Sequence, residues 1–265
     1  MLIKTIALSI ATVLGSYLDD LVIVGGLVPT LLIPHAELAE NTEPHAGTMD
    51  LDLGLEITIF DKKRYTEISD CLRTNGFEQD EDRSGKPVPQ RWRHKKMRQV
   101  TIDFLIQQTD KAEKGGDIKH FEEDFSAYVI PGIEFAFDDP IKLELSGRNL
   151  WDEEVTRTIQ ICNPGVFVML KALAIPERRK PKDAYDLYYV IRNYGDGVEE
   201  VARYLQPLIK HDICAKAVKL LKDEFANDFC SGPMRVAEFC SGDYNAEIRA
   251  DVVGYVAALL KAVKQ

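Results

Sequence analysis

The sequence predicts an α+β protein, in which strands and helices are mixed up to about residue 160 and helices alone follow. Two observations support this prediction. In the first part, short β-rich runs end in glycines or polar segments, which is typical of strands and turns. In the second part, apolar residues recur at helical spacing. We therefore predict an α/β domain over residues 1–160 and a helical domain over residues 161–265.

In the first domain, the elements follow from apolar spacing and turn residues. Ile6, Ile10 and Leu14 recur at helical spacing, which favours an amphipathic first helix over a targeting segment. The next apolar run ends in Gly25-Gly26, which indicates a buried strand and a tight turn. Gly76 is placed to end a later helix. The predicted helices span residues 2–17, 27–40 and 62–75, the strands 21–24, 50–57, 99–107 and short runs within 128–148, and the loops 79–90 and 109–120.

In the second domain, each long apolar-periodic segment predicts a helix. Pro164 suits a first helical turn, because the N–H that proline lacks has no partner there. The predicted helices span residues 164–176, 182–194, 198–209, 212–227 and 246–264.

The composition argues against several classes of protein. The chain has 265 residues with 45% hydrophobic content, enough for a sizeable core. Its net charge of -10 argues against a general nucleic-acid coat. The five cysteines include no C-x-x-C pair, which indicates reduced thiols in the cytoplasm rather than disulfides or structural zinc. No apolar run of about 18 residues is present, so we expect no membrane span.

Two aspartates carry the strongest chemical signal. Asp50 and Asp52 are two residues apart on a predicted strand, so both point to the same face. Carboxylates so placed are suited to bind Mg²⁺, and a metal pair can assist phosphoryl transfer. Asp103 lies on another predicted strand and is a candidate third ligand. Alternating acids on a strand also occur on solvated faces, but the apolar residues around this pair favour the metal site.

A glycine pair precedes this acidic strand. Gly25 and Gly26 follow the first predicted strand, where the lack of a Cβ lets the backbone approach a phosphate closely. Backbone N–H groups at the next helix start can then donate to phosphate oxygens. This arrangement predicts a nucleotide-binding turn.

A second candidate cluster lies in the helical domain. Lys171 is in an apolar helix, while Asp183 and Asp186 are one turn apart near the start of the next helix. Lysines in such positions often extend to water, and aspartates near helix starts often act as caps. From these residues alone, the group can be either a solvated lysine with capping aspartates or a functional cluster.

Taken together, four pieces of the sequence resemble the AbiEii/AbiGii toxin family of nucleotidyltransferase-like proteins. The resemblance implies a DNA-polymerase-β-like nucleotidyltransferase fold, with a mixed sheet and helices followed by a helical C-terminal region. It also implies Mg²⁺-dependent transfer from an NTP to an acceptor such as tRNA, and a toxin role with a cognate antitoxin as partner. The matching pieces are VIVGG at 22–26, TMDLDL at 48–53, MLKALAI at 169–175 and RRKPKDAYDL at 178–187.

The resemblance also assigns roles to single residues. The glycines fall on a nucleotide-binding motif, the first two aspartates on the metal motif, the lysine on a triphosphate-neutralising position, and the last two aspartates on the final K-D-x-x-D segment. The residues so assigned are Gly25, Gly26, Asp50, Asp52, Lys171, Asp183 and Asp186.

The most basic run in the sequence extends from Arg91 to Arg98. We expect that it could bind RNA phosphates, with Trp92 stacking on a base. The alternative is a solvated hairpin that joins a loop to a strand.

One departure from the family pattern leaves other functions open. The basic residue usual just before the D-x-D pair is absent, unless His45 takes its place. A non-catalytic member that binds a nucleotide or a protein partner is therefore one alternative. A small-molecule nucleotidyltransferase of the aminoglycoside type is another, because an acidic surface would suit a polycationic acceptor.

Overall fold

The computed structural model describes residues 2–38, 40, 42–48, 50–56, 62–82, 84–122 and 125–264, so residue 57 of a predicted strand lies outside the described residues. The chain forms two compact units. The sheet unit consists of Met1–Val28 and Gly47–Cys162, and the helical unit of Pro29–Ala46 and Asn163–Gln265. The boundary predicted near residue 160 lies close to the last junction between the units, whereas residues 29–46 belong to the helical unit.

The described elements are numbered in chain order. The strands are β1 (Leu21–Val24), β2 (Asp50–Leu55), β3 (Phe77–Glu81), β4 (Pro87–His94), β5 (Thr101–Ile106), β6 (Ile118–Glu122), β7 (Phe125–Val129), β8 (Ile141–Arg148) and β9 (Glu154–Ile161). The α-helices are α1 (Leu2–Val13), α2 (Val28–Leu32), α3 (Lys62–Thr74), α4 (Phe135–Asp138), α5 (Pro164–Arg178), α6 (Pro181–Asn193), α7 (Val198–Leu205), α8 (Asp212–Glu224), α9 (Ser231–Ser241) and α10 (Ala246–Ala262).

The strands of the sheet unit form one mixed sheet. Its main path runs β3-β4-β5-β2-β1-β9-β8, with β7 beside β5 and β6 beside β7. The strands β2 and β5 are parallel, whereas β1 is antiparallel to β2 and parallel to β9. This pairing places β2 in the middle of the sheet, with partners on both sides.

The central strands bury one face of the sheet. Leu51 and Leu53 of β2 alternate with aspartates, so the leucines share one face. Helix α1 lies on that face, where Ile10 lines a small apolar pocket together with the two leucines. Farther along the same face, Phe104 of β5 contacts Phe125 at a ring-centroid distance of 4.8 Å. The aspartates of β2 therefore point to the opposite face.

The helical unit is built around α5. Asn163 begins this helix by accepting a hydrogen bond from the Val166 N–H at 3.0 Å, and Pro164 occupies its first turn. Arg179 ends the helix in the left-handed region at a φ of 51°, and Pro181 starts α6. Helix α5 contacts α6, α7 and α8, while α9 contacts α6 and α10.

The α+β class, with a mixed sheet followed by a helical region, is confirmed. Several element predictions were wrong. The predicted loop 79–90 contains the end of β3 and the start of β4, because pairing between these polar strands supplies the order that their composition does not indicate. The predicted loop 109–120 includes the start of β6, and β9 and α9 were not predicted at all. None of the helices in the described part of the chain has the length and apolar character needed to cross a membrane.

The close approach of α5 to α7 predicts a large effect of one added methyl group. A Cβ on Gly165 would lie 2.4 Å from the carbonyl carbon of Tyr204, whose backbone position is fixed within a helix. We expect Gly165→Ala to lower the free energy of unfolding by about 3 kcal/mol, measured by urea denaturation.

Gly254→Ala is the matched control, because a Cβ on Gly254 of α10 meets no atom within 4 Å. The unfolding free energy of this control should rise by up to about 1 kcal/mol, because alanine has a higher helix propensity than glycine. Equal urea midpoints for Gly165→Ala and the wild type would contradict the described packing of α5.

Candidate functional site

Two aspartates of β2 lie on the sheet face opposite α1. Asp50 is exposed and Asp52 is half-exposed, while Leu51 between them is buried. On the parallel strand β5, Thr101 is in register with Asp50, and Asp103 with Asp52. The Thr101 hydroxyl donates a hydrogen bond to Asp50 Oδ1 at 2.6 Å. The structure thus brings the three predicted ligands Asp50, Asp52 and Asp103 onto one surface, which we call the acid face.

Gly25 lies directly against the Asp52 carboxylate. It directly follows Val24, which is in register with Asp52, and begins a 3₁₀ turn at a φ of +72°. A Cβ on this glycine would lie 1.9 Å from Asp52 Oδ2, so only a residue without a side chain leaves room for the carboxylate. Gly26 lies in the same turn and is half-exposed. The predicted glycine and metal motifs therefore meet at the end of β1.

Asp103 is held by an arginine on the next strand. Arg91 of β4 is in register with Asp103. Its Nε donates to Asp103 Oδ1 at 2.7 Å, and its second amino group donates to Oδ2 at 2.6 Å. The hydrogen bond to this carboxylate raises the pKa of Arg91, so the guanidinium stays charged. Both oxygens of the predicted third ligand are thus engaged by one cation.

The acid face fits a divalent cation through two carboxylates. Among the described residues, no group of three or more His, Cys, Asp or Glu side chains is arranged to bind a metal ion. Mg²⁺ in enzymes is commonly bound by only one or two carboxylates, together with water and substrate phosphates. Asp50 and Asp52 supply such a pair, and the space left at Gly25 accommodates one of them.

The second predicted cluster forms within the helical unit. The Lys171 ammonium is buried and donates to Asp183 Oδ1 at 2.6 Å and to Asp186 Oδ2 at 2.8 Å. Lys182 donates to the other oxygen of Asp186 at 2.7 Å. Asp183 Oδ2 accepts no hydrogen bond from the described residues, although Arg178 Nε lies 3.6 Å from it. The spacing of the two aspartates on α6 directs both at one cation on α5.

His45 completes this cluster from a distant part of the chain. Its Nε2 lies 2.9 Å from Asp186 Oδ1, and its Nδ1 lies 2.8 Å from Thr30 Oγ1. The ring also stacks on Tyr185 at a centroid distance of 5.3 Å. Because both ring nitrogens are engaged inside the helical unit, this histidine does not replace the basic residue that is absent before Asp50.

The charges of this cluster stabilise one another. Burial alone would lower the pKa of Lys171, but the carboxylates of Asp186 and Asp183 outweigh it and raise the pKa. Burial would raise the pKa of Asp186, yet the Lys171 ammonium and the bond from His45 hold it well below its usual range. For His45, burial outweighs the bond to Asp186 and lowers the pKa. At neutral pH the cluster therefore contains charged Lys171 and Asp186 and neutral His45.

The basic run differs from its predicted role. Trp92 is fully buried, so its ring cannot stack on a base. Arg93 is also buried and pairs with Glu78 and Asp80 at 3.0 and 2.9 Å. The reason is that β4 lies inside the sheet, between β3 and β5, and that both of its faces are covered at this end, so the adjacent Trp92 and Arg93 are both buried. Cations that remain exposed follow the strand, at Lys95, Lys96 and Arg98.

Sequence reasoning missed three residues that contact the predicted ones. Arg91 and Thr101 were not identified as neighbours of the acid face, because the strand register that places them there is a tertiary property. His45 was considered only as a substitute for a phosphate-binding residue. The signal that could have suggested Arg91 is the alternation of cations at 91 and 93 next to a predicted strand that carries Asp103.

Residues 12–194, more than half of the chain, match a protein family described as nucleotidyltransferase. The chain belongs to this nucleotidyltransferase family. Among solved structures, the nucleotidyltransferase is similar to MenT4, a nucleotidyltransferase toxin from Mycobacterium tuberculosis H37Rv, with 13% identity and a TM-score of 0.37. That similarity covers 99% of this chain and 82% of MenT4. A search of curated proteins finds no significant match.

Family membership confirms the enzyme class predicted from the sequence motifs. The matched region begins within α1 and ends just after α6, so it includes the acid face, Gly25 and the Lys171 cluster. The chain is therefore a transferase of the nucleotidyltransferase class.

The contact between Gly25 and Asp52 predicts a coupled pair of substitutions. Gly25→Ala adds a Cβ at positive φ and against the carboxylate, so we expect the nucleotidyltransferase to lose about 1–2 kcal/mol or more of unfolding free energy in urea. Asp52→Ala removes the two atoms that would lie closest to this added Cβ, Oδ2 and Cγ of Asp52. The double variant should therefore lose less than the sum of the single losses.

Gly15→Ala is the control for this pair, because a Cβ on Gly15 meets no atom within 4 Å. Strictly additive losses for Gly25→Ala and Asp52→Ala would show that these two residues do not touch.

The lowered pKa of His45 predicts a dependence of stability on pH. In the unfolded chain this histidine titrates near 6.5, so on acidification the unfolded state binds the proton first. The contribution of His45 to stability is therefore present above about pH 6.5 and is lost as the pH falls. Burial lowers the pKa of His94 as well, so His94 also contributes to the fall in unfolding free energy at acidic pH. We expect His45→Gln to reduce the loss of unfolding free energy between pH 8 and 5, measured by urea denaturation.

His35→Gln, at an exposed position, is the matched control for this titration and should retain the wild-type pH dependence. If the unfolding free energy of His45→Gln changes with pH as much as that of the wild type, the conclusion that His45 is buried in its neutral form is contradicted.

Proposed function

We propose that this nucleotidyltransferase transfers a nucleoside monophosphate from an NTP to an acceptor hydroxyl, with Mg²⁺ bound by Asp50 and Asp52. The observation that carries the proposal is the pair of carboxylates on one face of β2, with Gly25 leaving space for one of them. Membership of the family supplies the reaction class.

In the proposed reaction, the acceptor oxygen attacks the α-phosphorus, the bond to pyrophosphate breaks, and the hydroxyl proton passes to solvent. When bound, the cation would neutralise charge on the reacting oxygens. Asp50 and Asp52 bind it, and the hydrogen bond from Thr101 orients Asp50. Backbone groups of Gly25 and Gly26 lie next to Asp52, where they can approach the phosphates closely. Asp103, the third ligand predicted from the sequence, is not included, because both of its oxygens accept hydrogen bonds from Arg91.

The Lys171 cluster is proposed to contribute charge rather than proton transfer. A lysine with a raised pKa stays protonated at neutral pH, so it cannot act as a general base. The family resemblance implies that this lysine neutralises a triphosphate, with Asp183 and Asp186, which accept hydrogen bonds from its ammonium, as orienting residues. These three roles stay predictions.

For the acceptor we propose an RNA, with the 3′ end of tRNA as the first candidate, and for the biological role a toxin with a cognate antitoxin protein. The support is the resemblance of the motifs, together with the exposed cations at Lys95, Lys96 and Arg98 that could contact RNA phosphates. The cytoplasmic location stays a prediction, in agreement with five free cysteines.

The test is transfer of label from each NTP to total tRNA in the presence of Mg²⁺. Asp50→Asn and Asp52→Asn should lower the rate by at least about 100-fold, because each removes one charge from the site that binds the metal. Glu144→Gln, an exposed acid on β8, is the matched control and should retain the wild-type rate.

The same assay separates the alternatives. Label on an aminoglycoside but never on RNA would favour small-molecule modification. Absence of both transfer and NTP binding by calorimetry would favour a non-catalytic partner-binding protein. Full transfer by Asp52→Asn would contradict the proposed metal site.

A further inference from the structure

Three side chains form a row across the acid face. Asp52 of β2 is in register with Asp103 of β5, which is in register with Arg91 of β4. Neighbouring strands are about 4.8 Å apart, so the backbones of Asp52 and Arg91 are separated by about 10 Å. The arginine side chain reaches back along this row to Asp103, and the charge of Asp50 also acts on it.

The carboxylate in the middle of the row is already neutralised. Its two oxygens accept two parallel hydrogen bonds at 2.7 and 2.6 Å from Arg91, and Asp103 is only 6% exposed. Such two-bond pairs between guanidinium and carboxylate are among the stronger and better oriented polar contacts in proteins. A metal ion bound to Asp103 would have to lie beside this guanidinium, and the two positive charges would repel each other.

The other edge of the guanidinium is open. Arginine has five N–H donors, and the pair with Asp103 uses two of them. Within the described part of the chain, the remaining donors of Arg91 have no hydrogen-bond acceptor, and its side chain is 35% exposed. A planar cation with free donors matches the geometry of phosphate oxygens.

The acid face also needs a positive group. The strands β1, β2 and β5 contain no lysine or arginine. The basic residue expected before Asp50 is absent, and His45 is engaged with Thr30 and Asp186 inside the helical unit. The register of β4 brings Arg91 and Arg93 to this face, but Arg93 is buried and paired with Glu78 and Asp80. Arg91 therefore remains as the cation placed to donate hydrogen bonds to a triphosphate.

We propose that Arg91 binds the NTP phosphates, and that Asp103 is a positioning residue that holds the Arg91 guanidinium rather than a metal ligand. The inference rests on the proposed function, since it requires an NTP beside Asp50 and Asp52. In this proposal, Asp50 and Asp52 are the two side chains that bind the metal. The opposite arrangement, in which the metal displaces Arg91 from Asp103, gives different results in the experiment below.

The experiment measures metal and nucleotide binding separately in the full chain. Mn²⁺ alone is titrated and followed by its electron paramagnetic resonance, and each Mg²⁺–NTP is titrated by calorimetry. We expect Arg91→Gln to weaken NTP binding by at least about 10-fold, the usual loss for a charged hydrogen bond, while Mn²⁺ affinity changes less than about 3-fold. Arg91→Lys should recover part of the NTP affinity. Arg203→Gln, at an exposed position of α7 in the helical unit, should bind both probes like the wild type.

The role of Asp103 is tested by a double-mutant cycle. If this residue acts only through Arg91, Asp103→Asn weakens NTP binding in the wild type but has no further effect in Arg91→Gln. The double variant leaves no buried charge unpaired. If Asp103→Asn alone unfolds, Mn²⁺ binding by the double variant still tests whether Asp103 binds the metal.

Three results would overturn the inference while leaving the proposed function intact. The first is wild-type NTP affinity in Arg91→Gln. The second is a loss of Mn²⁺ affinity in Asp103→Asn as large as that in Asp52→Asn. The third is tighter Mn²⁺ binding in Arg91→Gln, which would show that the arginine competes with the metal for Asp103. If Asp52→Asn leaves Mn²⁺ binding unchanged, or if no NTP binds to the wild type, the proposed function itself fails and the inference fails with it.

Discussion

The alternation of leucine and aspartate along β2 is the constraint on which the sheet unit depends. One face of this strand packs Leu51 and Leu53 beneath α1, and the other presents Asp50 and Asp52. A shift of one residue in register would bury two carboxylates and expose two leucines, which is strongly unfavourable. The antiparallel partner β1 and the parallel partner β5 hold the register from both sides. The same strand therefore contributes to both the core and the candidate metal site.

Charge compensation is the second organising feature, and it occurs in each unit separately. In the sheet unit, the buried Asp103 is paired with Arg91 by two hydrogen bonds. In the helical unit, Asp183 and Asp186 share the buried Lys171 ammonium. Removing one partner of a buried ion pair costs about 3–5 kcal/mol, because the other charge is left without compensation. Each pair thus combines a structural role with a candidate role at a charged substrate.

Some of this could be predicted from the sequence because the signal is local. The helices α5 and α6 follow from apolar spacing, with Pro164 in the first turn of α5, and β1 follows from four consecutive apolar residues before a glycine. Strand β3 consists mostly of polar residues, so no local pattern indicates it. Strand β9 does carry a local signal, because its valine, threonines and isoleucines are typical of strands, but this signal was not recognised. Their order comes from hydrogen bonds to neighbours that are distant in sequence, such as β4 for β3 and β8 for β9.

For the site, the sequence by itself determined the residue types and the local spacing. It placed Asp50 and Asp52 on one side of a strand and gave the order of motifs that indicates a nucleotidyltransferase. Only the tertiary structure decided which groups those residues meet: the space at Gly25 for Asp52, and Arg91 on Asp103. The physical reason is that strand register and helix packing join residues far apart in the chain, and each of these long-range contacts depends on the whole unit being folded.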